Sequence, residues 1–501
     1  MKIVLSTLNS RYTHSSLALR YIYANLNEFQ ENSMILEFSI NDALQSVAEK
    51  LLNENPDIIG LGTYIWNASE IKELIHILKK VSPQTIIILG GPEVSHEPFR
   101  VDYSDADYII QGEGDLAFYE LCKQIKNSAE VQKQTQIIKQ TMPSLKELKL
   151  PYEYYTDDDI KNRYIYLEVS RGCPFECEFC LSSMDERVRT FDIDQTLEEF
   201  QKLWNRGARA FKFVDRTFNI NIKTANKILD FFLEKEPPYF AHFEVIPDHF
   251  PASIKEKIQK FPHGALQLEI GIQTLNLDVA NNISRNLKLD KIKQNIAFLE
   301  QDTSAHIHLD LIVGLPGESL KSFGDNLDEL VSLSSCEIQI GILKKLSGTH
   351  INRHDIEHGM VYSDYPPYDI LKSKLLSFED IQIMKRFARF WDLTYNSGNF
   401  KNSVKLIWQD GSVFENFYKF SLWVYLQTDS TYKISLLRLG ELLFTYLKDV
   451  IKLAPEVISE LMLKDMMKIK GRSIPKYLKS YADNFSVEAK NGTSGFNKRQ
   501  L

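Results

Sequence analysis

A chain of 501 residues, 44% hydrophobic and 25% charged, is long enough for about three domains and rich enough in apolar side chains to build several cores without disulfides. Its formal net charge of −8 excludes nucleic acid as the main partner. No run of about 18 apolar residues occurs, and Ile3-Val4-Leu5 gives way to polar Ser6, so neither a helical membrane span nor a secretory leader is expected and a cytoplasmic location is.

In chain order, residues 2–8, 35–40, 57–63, 85–89 and 107–110 read as strands, alternating with helices at 17–27, 43–53 and 70–80. Ile86-Ile87-Ile88-Leu89 is apolar on both faces, the mark of a parallel strand covered above and below. Residues 1–125 therefore predict an open, doubly wound, Rossmann-like α/β domain. Residues 126–162 turn polar, with Asn127, Ser128, Pro143 and the run Asp157-Asp158-Asp159, and predict a linker. A second β/α series starts at Tyr164, with strands at 165–169, 210–214, 239–245, 264–270, 306–311 and 337–343 and helices such as 196–206, 223–234 and 289–301. Six repeats predict a partial parallel (β/α)6 barrel over 163–366. Residues 367–486 read as a helical domain whose aromatics, at helical spacing in 381–391 and 413–426, are expected to be core. Residues 487–501, with Asn-Gly and Ser-Gly pairs, are expected to form a disordered tail.

Of five cysteines, three fall in Ser170-Arg171-Gly172-Cys173-Pro174-Phe175-Glu176-Cys177-Glu178-Phe179-Cys180, directly after the first strand of the second series. Ligand-bearing loops of a parallel barrel belong at that end of its strands. Three thiolates in one short loop can wrap a soft metal centre. Structural zinc wants a fourth ligand, and Cys122 and Cys336 stand far away without a partner of their own. A cubane held by three side chains leaves one iron free for a reagent; zinc, or a chance surface group of thiols, is the alternative.

The Cys-x3-Cys-x2-Cys spacing of Cys173, Cys177 and Cys180, with Phe179 before the last, resembles the signature of the radical S-adenosylmethionine (SAM) superfamily. The resemblance implies a [4Fe–4S] cluster whose free iron chelates SAM, and a one-electron cleavage giving methionine and a 5′-deoxyadenosyl radical. It places Phe179 near the adenine, a role compatible with plain core packing. Later segments match in order. Phe213-Val214-Asp215-Arg216-Thr217-Phe218-Asn219 resembles a variant of the SAM-amine motif, implicating Asp215 and Asn219. Glu244 ends the next strand and is assigned to the ribose hydroxyls or ammonium of SAM, since an unpaired carboxylate there would be costly. Gly271-Ile272-Gln273-Thr274 resembles the family's Gly-x-Gln-Ser element, with Gln273 in the binding position and Arg285 beyond it for the SAM carboxylate. Gly314-Leu315-Pro316-Gly317-Glu318 looks like the stretch where backbone approaches adenine, a contact that Gly314 permits.

In the first series, ligands of an open parallel sheet bind at the C-terminal strand ends. The loops there carry Asn9, Arg11, Tyr12 and His14, then Thr63 and Tyr64, then Gly90, Gly91 and Glu93, and finally Gly112 and Glu113. Alone, such turns suit a nucleotide or phosphate equally well. Together they resemble the cobalamin-binding domain fused upstream of many radical SAM enzymes. The resemblance implies a corrin between this domain and the barrel mouth. The Asp-x-His-x-x-Gly motif that supplies an axial His elsewhere is absent, and His14 is the one nearby His after the first strand.

The combined expectation is a cobalamin-dependent radical SAM enzyme, a methyltransferase acting on an unactivated carbon or phosphorus centre of a small-molecule substrate. Its electron donor would be a reduced flavodoxin or ferredoxin, with neither nucleic acid nor membrane as partner. A cyclase or rearrangement enzyme using both cofactors without methyl transfer is one alternative. A non-catalytic corrin- or cluster-binding sensor is another.

Overall fold

The structure, a computed structural model, describes residues 1–127, 134–185, 187–468 and 472–482. The expected tail at 487–501 lies outside the described residues.

Ten elements build the first layer: β1 (Ile3–Asn9), α1 (Leu17–Ala24), β2 (Ser33–Ser39), α2 (Leu44–Asn53), β3 (Ile58–Gly62), α3 (Ala68–Val81), β4 (Ile86–Gly90), β5 (Tyr108–Gln111), α4 (Gly114–Asn127) and β6 (Gln136–Lys139). Every strand pairing is parallel, and the order is β2-β1-β3-β4-β5-β6, so the winding reverses between β1 and β3. The pleat divides its apolar residues between two cores. Val4, Leu8, Ile59, Leu61, Ile87 and Leu89 join one, while Ile3, Leu5, Ile58 and Ile88 join the other. β6 corrects the expectation that 126–162 is only a linker: Gln136–Lys139 pairs with β5 and becomes the sheet's edge. Four residues with exposed alternate side chains satisfy an edge position that no apolar run announces.

α5 (Asp157–Asn162) follows, started by a Thr156/Asp159 capping box that uses the acidic run as helix N-terminus. The second sheet comprises β7 (Ile165–Leu167), β10 (Ala210–Phe213), β11 (Phe240–Val245), β12 (Leu266–Gln273), β13 (His306–Val313) and β14 (Glu337–Ile342). These strands are parallel and adjacent in sequence order, with β7 and β14 at the edges, as in a barrel left open on one side. Between β7 and β10 lie a small antiparallel pair, β8 (Ser170–Arg171) with β9 (Arg189–Thr190), and helix α6 (Ile193–Asn205). Helices α7 (Ile222–Leu233), α8 (Ala252–Ile258), α9 (Leu277–Asn282), α10 (Leu289–Asp302) and α11 (Leu320–Leu333) connect the remaining strands. Ala241, Phe243 and Val245 of β11, Leu266, Leu268, Ile270 and Ile272 of β12, and Ile307, Leu309, Leu311 and Val313 of β13 pack in the main core. The alternate residues, facing the lumen, are His242, Glu244, Gln267, Glu269, Gln273, His306, His308 and Asp310.

Both open edges are covered. On the β7 side, Tyr164 N–H donates to the Thr13 carbonyl at 2.9 Å and Ser15 Oγ donates to the Tyr164 carbonyl at 2.7 Å. On the β14 side, α12 (Phe378–Trp391) is followed by Asn396, whose side chain bonds both Ile338 N–H and C=O at 2.9 Å. The carboxamide acts as a one-residue strand partner. Trp391 Nε1 donates to the same Ile338 carbonyl at 3.1 Å. The expected aromatic core of this region is present, with Phe387 and Trp391 of α12 packing on Phe417 of α13 (Val413–Thr428). No described helix is long and apolar enough to cross a membrane.

Candidate functional site

The three-cysteine loop springs from the C-terminal end of β7 and is held at its base by the β8–β9 pair. Gly172 sits at φ +90°, and a Cβ there would stand 2.4 Å from the Arg187 carbonyl oxygen, so only glycine lets the two arms approach. Cys173 N–H donates to Asp185 C=O at 2.9 Å, and Cys180 N–H to Cys177 C=O at 3.0 Å. Cys173 and Cys177 are buried and Cys180 half-buried, all three reduced. Burial pushes the thiols of Cys173 and Cys177 up, so a positive centre is needed to hold them as thiolates. Among the described residues, no set of three ligand atoms that includes these sulfurs lies within 4.8 Å. Four sulfurs on one zinc stand about 3.8 Å apart, a tighter set than these three sulfurs form, which leaves room for a polynuclear cluster.

Glu178, between two of the cysteines, fastens the loop to the rest of the barrel. Its buried carboxylate accepts from Ser284 Oγ at 2.5 Å, lies 2.8 Å from His354 Nε2 and pairs with Arg353. Arg285 extends a guanidinium into the same place, with Nη1 3.5 Å from Cys177 Sγ and Nη2 on the Gly271 carbonyl. Gln273 adopts φ +69° where β12 and β13 lose register, which turns its side chain over Gly271. Glu244, next to last in β11, ion-pairs with Arg216 at 2.7 Å. Asp310 is held well above the usual carboxylate range by burial and by the nearby charges of Glu269 and Glu244, with Arg285 opposing. Carboxyls crowded in this way are relieved by a ligand that brings positive charge among them. Gly314 lies at φ +93°, and a Cβ would come 2.7 Å from Ile370 Cγ2. Phe179 is partly buried against the main core.

Two predicted residues are occupied otherwise. Asn219 spends its whole carboxamide on backbone, bonding Ile246 N–H and C=O and the His249 carbonyl. Asp215 accepts from Val169 N–H at 3.1 Å and from Ser170 Oγ, and burial raises it to about 7. Both therefore shape the strand ends around the site. Beside them an open pocket of about 200 Å³ is lined by Glu168, Ser170, Arg171, Gly172 and Arg216, among others.

In the first domain, the predicted residues gather where the winding reverses. Thr63 N–H donates to the Gly90 carbonyl at 2.8 Å, and Gly91, at φ +114°, has its Cα 's missing side chain replaced by the Thr63 carbonyl, 2.5 Å from where a Cβ would sit. A Cβ at Gly90 would meet nothing within 4 Å, so this strand end opens onto free space. Tyr64 stacks on Trp66 at 4.4 Å, and Trp66, 43% exposed, offers an apolar face there. A flat glycine ledge with the exposed Trp66 stacked on Tyr64 nearby fits a broad ring system. Asn9 donates to Glu37 at 2.7 Å, and Tyr12, stacked under Arg163, donates to Asp158 at 2.7 Å. Arg11 is exposed. His14 Nδ1 is 2.6 Å from the Tyr166 hydroxyl, and burial with Lys212 and Arg11 nearby lowers its pKa to about 4, so it is neutral.

Gly112, at φ +86°, precedes Glu113. Glu113 pairs with Arg171 at 2.9 Å and with Arg189, and Arg171 also binds Asp115 at 2.8 Å and Glu168 at 2.8 Å. The base of the cysteine loop is thus clamped to the first domain. Glu93 is likewise taken by Tyr368 Oη, and His96 fills the space at Gly348, where a Cβ would be 2.4 Å from its Cγ. The lumen residues His242, Glu269, His306, His308 and Asp310 escaped the sequence reading. Their signal is the alternation in His-Phe-Glu-Val, Gln-Leu-Glu-Ile-Gly-Ile-Gln and His-Ile-His-Leu-Asp-Leu, which a barrel with an apolar interior would lack.

Residues 3–122 match the B12 binding domain model and residues 167–330 the Radical SAM superfamily model. The chain thus joins a segment similar to B12-binding domains to one similar to the radical SAM superfamily. Its C-terminal residues 356–498 match a third model, described as Protein of unknown function (DUF4080). The chain is 25% identical over 351 residues to 2-(S-pantetheinyl)-carbapenam-3-carboxylate methyltransferase of Streptantibioticus cattleyicolor, covering 62% of this chain and 49% of that one. It is 24% identical over 342 residues to the cobalamin-dependent radical SAM methyltransferase TokK of Streptomyces tokunonensis, covering 60% and 49%. The chain thus spans about half the length of these curated relatives. Its fold is similar to that of OxsB, a cobalamin-dependent SAM radical enzyme solved with aqua-cobalamin and SAM, at TM-score 0.61 and 14% identity over 93% of this chain and 78% of that one.

Proposed function

We propose that this chain is a cobalamin-dependent radical SAM enzyme that transfers a methyl group to an unactivated carbon of a small-molecule substrate in the cytoplasm. The observation that carries the reading is the clamp of Arg171, Arg189, Glu113 and Asp115, which fixes the cysteine loop against the first domain. Similarity to two methyltransferases over about three-fifths of the chain supports methyl transfer over cyclisation and over a sensor.

On this reading, Cys173, Cys177 and Cys180 hold a [4Fe–4S] cluster, Gln273, Arg285, Glu244 and Gly314 surround SAM, and Thr63, Tyr64, Gly90 and Gly91 support cobalamin. When bound, these groups supply one-electron cleavage of SAM and a methyl carrier. The chain's own part is placement. Arg285 steadies Cys177 and holds the β12 end open through Gly271. Glu244 attracts the cationic end of SAM. Asp215 and Asn219 keep the strand ends rigid, and orientation of this kind contributes up to ~7–11 kcal/mol in well-aligned reactions. The proposed division is 1–125, 163–366 and 367–486, with residues 126–162 joining the first two. A reduced flavodoxin or ferredoxin is the proposed electron donor.

The test is anaerobic reconstitution followed by incubation with methyl-labelled SAM and candidate substrates. Label in a product, with deoxyadenosine formed alongside, is expected; deoxyadenosine without labelled product would point to cyclisation. Cys177→Ala is expected to lose iron and all SAM cleavage while retaining cobalt, read by metal analysis of one sample.

A further inference from the structure

At the end of the barrel opposite the cysteine loop, two histidines and a glutamate converge. His306 opens β13, His308 follows on the same face, and Glu337 opens β14 directly opposite His308. Nε2 of His306 is 3.0 Å from Glu337 Oε1, Nε2 of His308 is 3.3 Å from Oε2, and the two nitrogens are 3.1 Å apart. Ligands at about 2.0–2.1 Å from a tetrahedral zinc ion stand about 3.3 Å from one another. The triangle has that size. Among the described residues no other three ligand atoms of His, Cys, Asp or Glu lie within 4.8 Å of one another.

Two further features favour a cation, and a third accommodates one. A proton between the two imidazole nitrogens can serve only one of them as donor, whereas a metal ion satisfies both nitrogens and the carboxylate together. Nε2 of the Gln267 and Gln339 amides lies 3.3 and 3.0 Å from His308 Nδ1. With the Gln339 amide turned end for end, its oxygen would accept the Nδ1 proton and leave the Nε2 lone pair for a metal, the usual outer-sphere support of a ligating histidine. Finally, the side chain of His306 is 32% exposed, against 15% and 17% for His308 and Glu337, which leaves one side open to a water ligand.

We propose that His306, His308 and Glu337 bind a divalent transition-metal ion, zinc by the size of the triangle, at the base of the barrel. Two imidazoles and one carboxylate are a ligand set suited to it. The cysteine loop lies at the other end of strands about 20 Å long, so the two centres are independent. At the strand N-termini the ion has a structural part: it ties β13 to β14, which no hairpin joins, and closes the lower mouth of a polar lumen.

The experiment titrates zinc into four full-length proteins against a chromophoric chelator, with thermal unfolding recorded with and without metal. They are the cluster-loaded parent, a Cys173→Ala/Cys177→Ala/Cys180→Ala chain, a His306→Ala/Glu337→Gln chain and Gln339→Ala. One ion per chain and a raised Tm are expected for the parent and the cysteine variant. A loss of both is expected for His306→Ala/Glu337→Gln, and a ~10–100-fold weaker affinity for Gln339→Ala. Cobalt in the cysteine variant should show ligand-field bands without thiolate charge transfer. The proposal fails if the cysteine variant binds no ion, or if His306→Ala/Glu337→Gln binds as tightly as the parent. Should that last chain not fold, unchanged affinity in Gln339→Ala overturns it instead. Because the cysteine variant holds no cluster, the result is independent of the proposed radical chemistry.

Discussion

Glu318 illustrates how a side chain near the site carries a cost that pH reveals. Its Oε1 accepts from Thr274 Oγ1 and Asn326 Nδ2, both at 2.9 Å, while Oε2 is buried without a partner. Burial raises its pKa from 4.5 to about 8, against the weaker pull of those two donors. Between these values the folded chain keeps the proton and the unfolded chain releases it, so stability falls as pH rises through that window. Glu318→Gln removes the titration. Its Tm is expected to gain on the parent as pH rises from about 5 to about 8, and to keep a constant lead above, read by thermal unfolding in a pH series.

The elements around the cysteine loop depend on a few close approaches. Arg171 lies on β8 and satisfies Glu168, Glu113 and Asp115 in one largely buried group. Arg171→Ala leaves those carboxylates without their cation, and is expected to cost about 3–5 kcal/mol in denaturant unfolding, the range for breaking a buried pair. Cluster iron should fall with it, since the same strand fixes the loop. At the end of β13, Gly314→Ala meets both a left-handed φ and Ile370. It is expected to cost about 1–3 kcal/mol, and Ile370→Ala should restore only the part due to crowding.

The molecule as a whole closes its open barrel with its neighbours. Leu17 and Tyr21 of α1 belong to the same core as the barrel strands. Arg20 of α1 pairs with Glu37 at 2.6 Å and with Asp159, before the barrel, at 2.8 Å, all three side chains being buried. Shared apolar packing and a shared ion group make the first domain and the barrel one cooperative unit. Calorimetry of the full chain is expected to show them melting in a single transition; Arg20→Ala, which strands two buried carboxylates, should separate it into two.

Local order was legible in the residues themselves. Repeating apolar runs between turn residues marked the strands of both sheets, and three cysteines within eight positions marked the loop that follows β7, because pleat, helix period and ligand spacing are properties of neighbouring positions. β6 was not legible, since an edge strand of four residues needs only a partner and carries no pattern of its own. Nor could the partners of Glu93, Glu113 and Asn219 be read, and each proved to serve the protein rather than stand free. Charges and carboxamides choose among groups tens or hundreds of positions away, and only the folded chain brings those groups within reach.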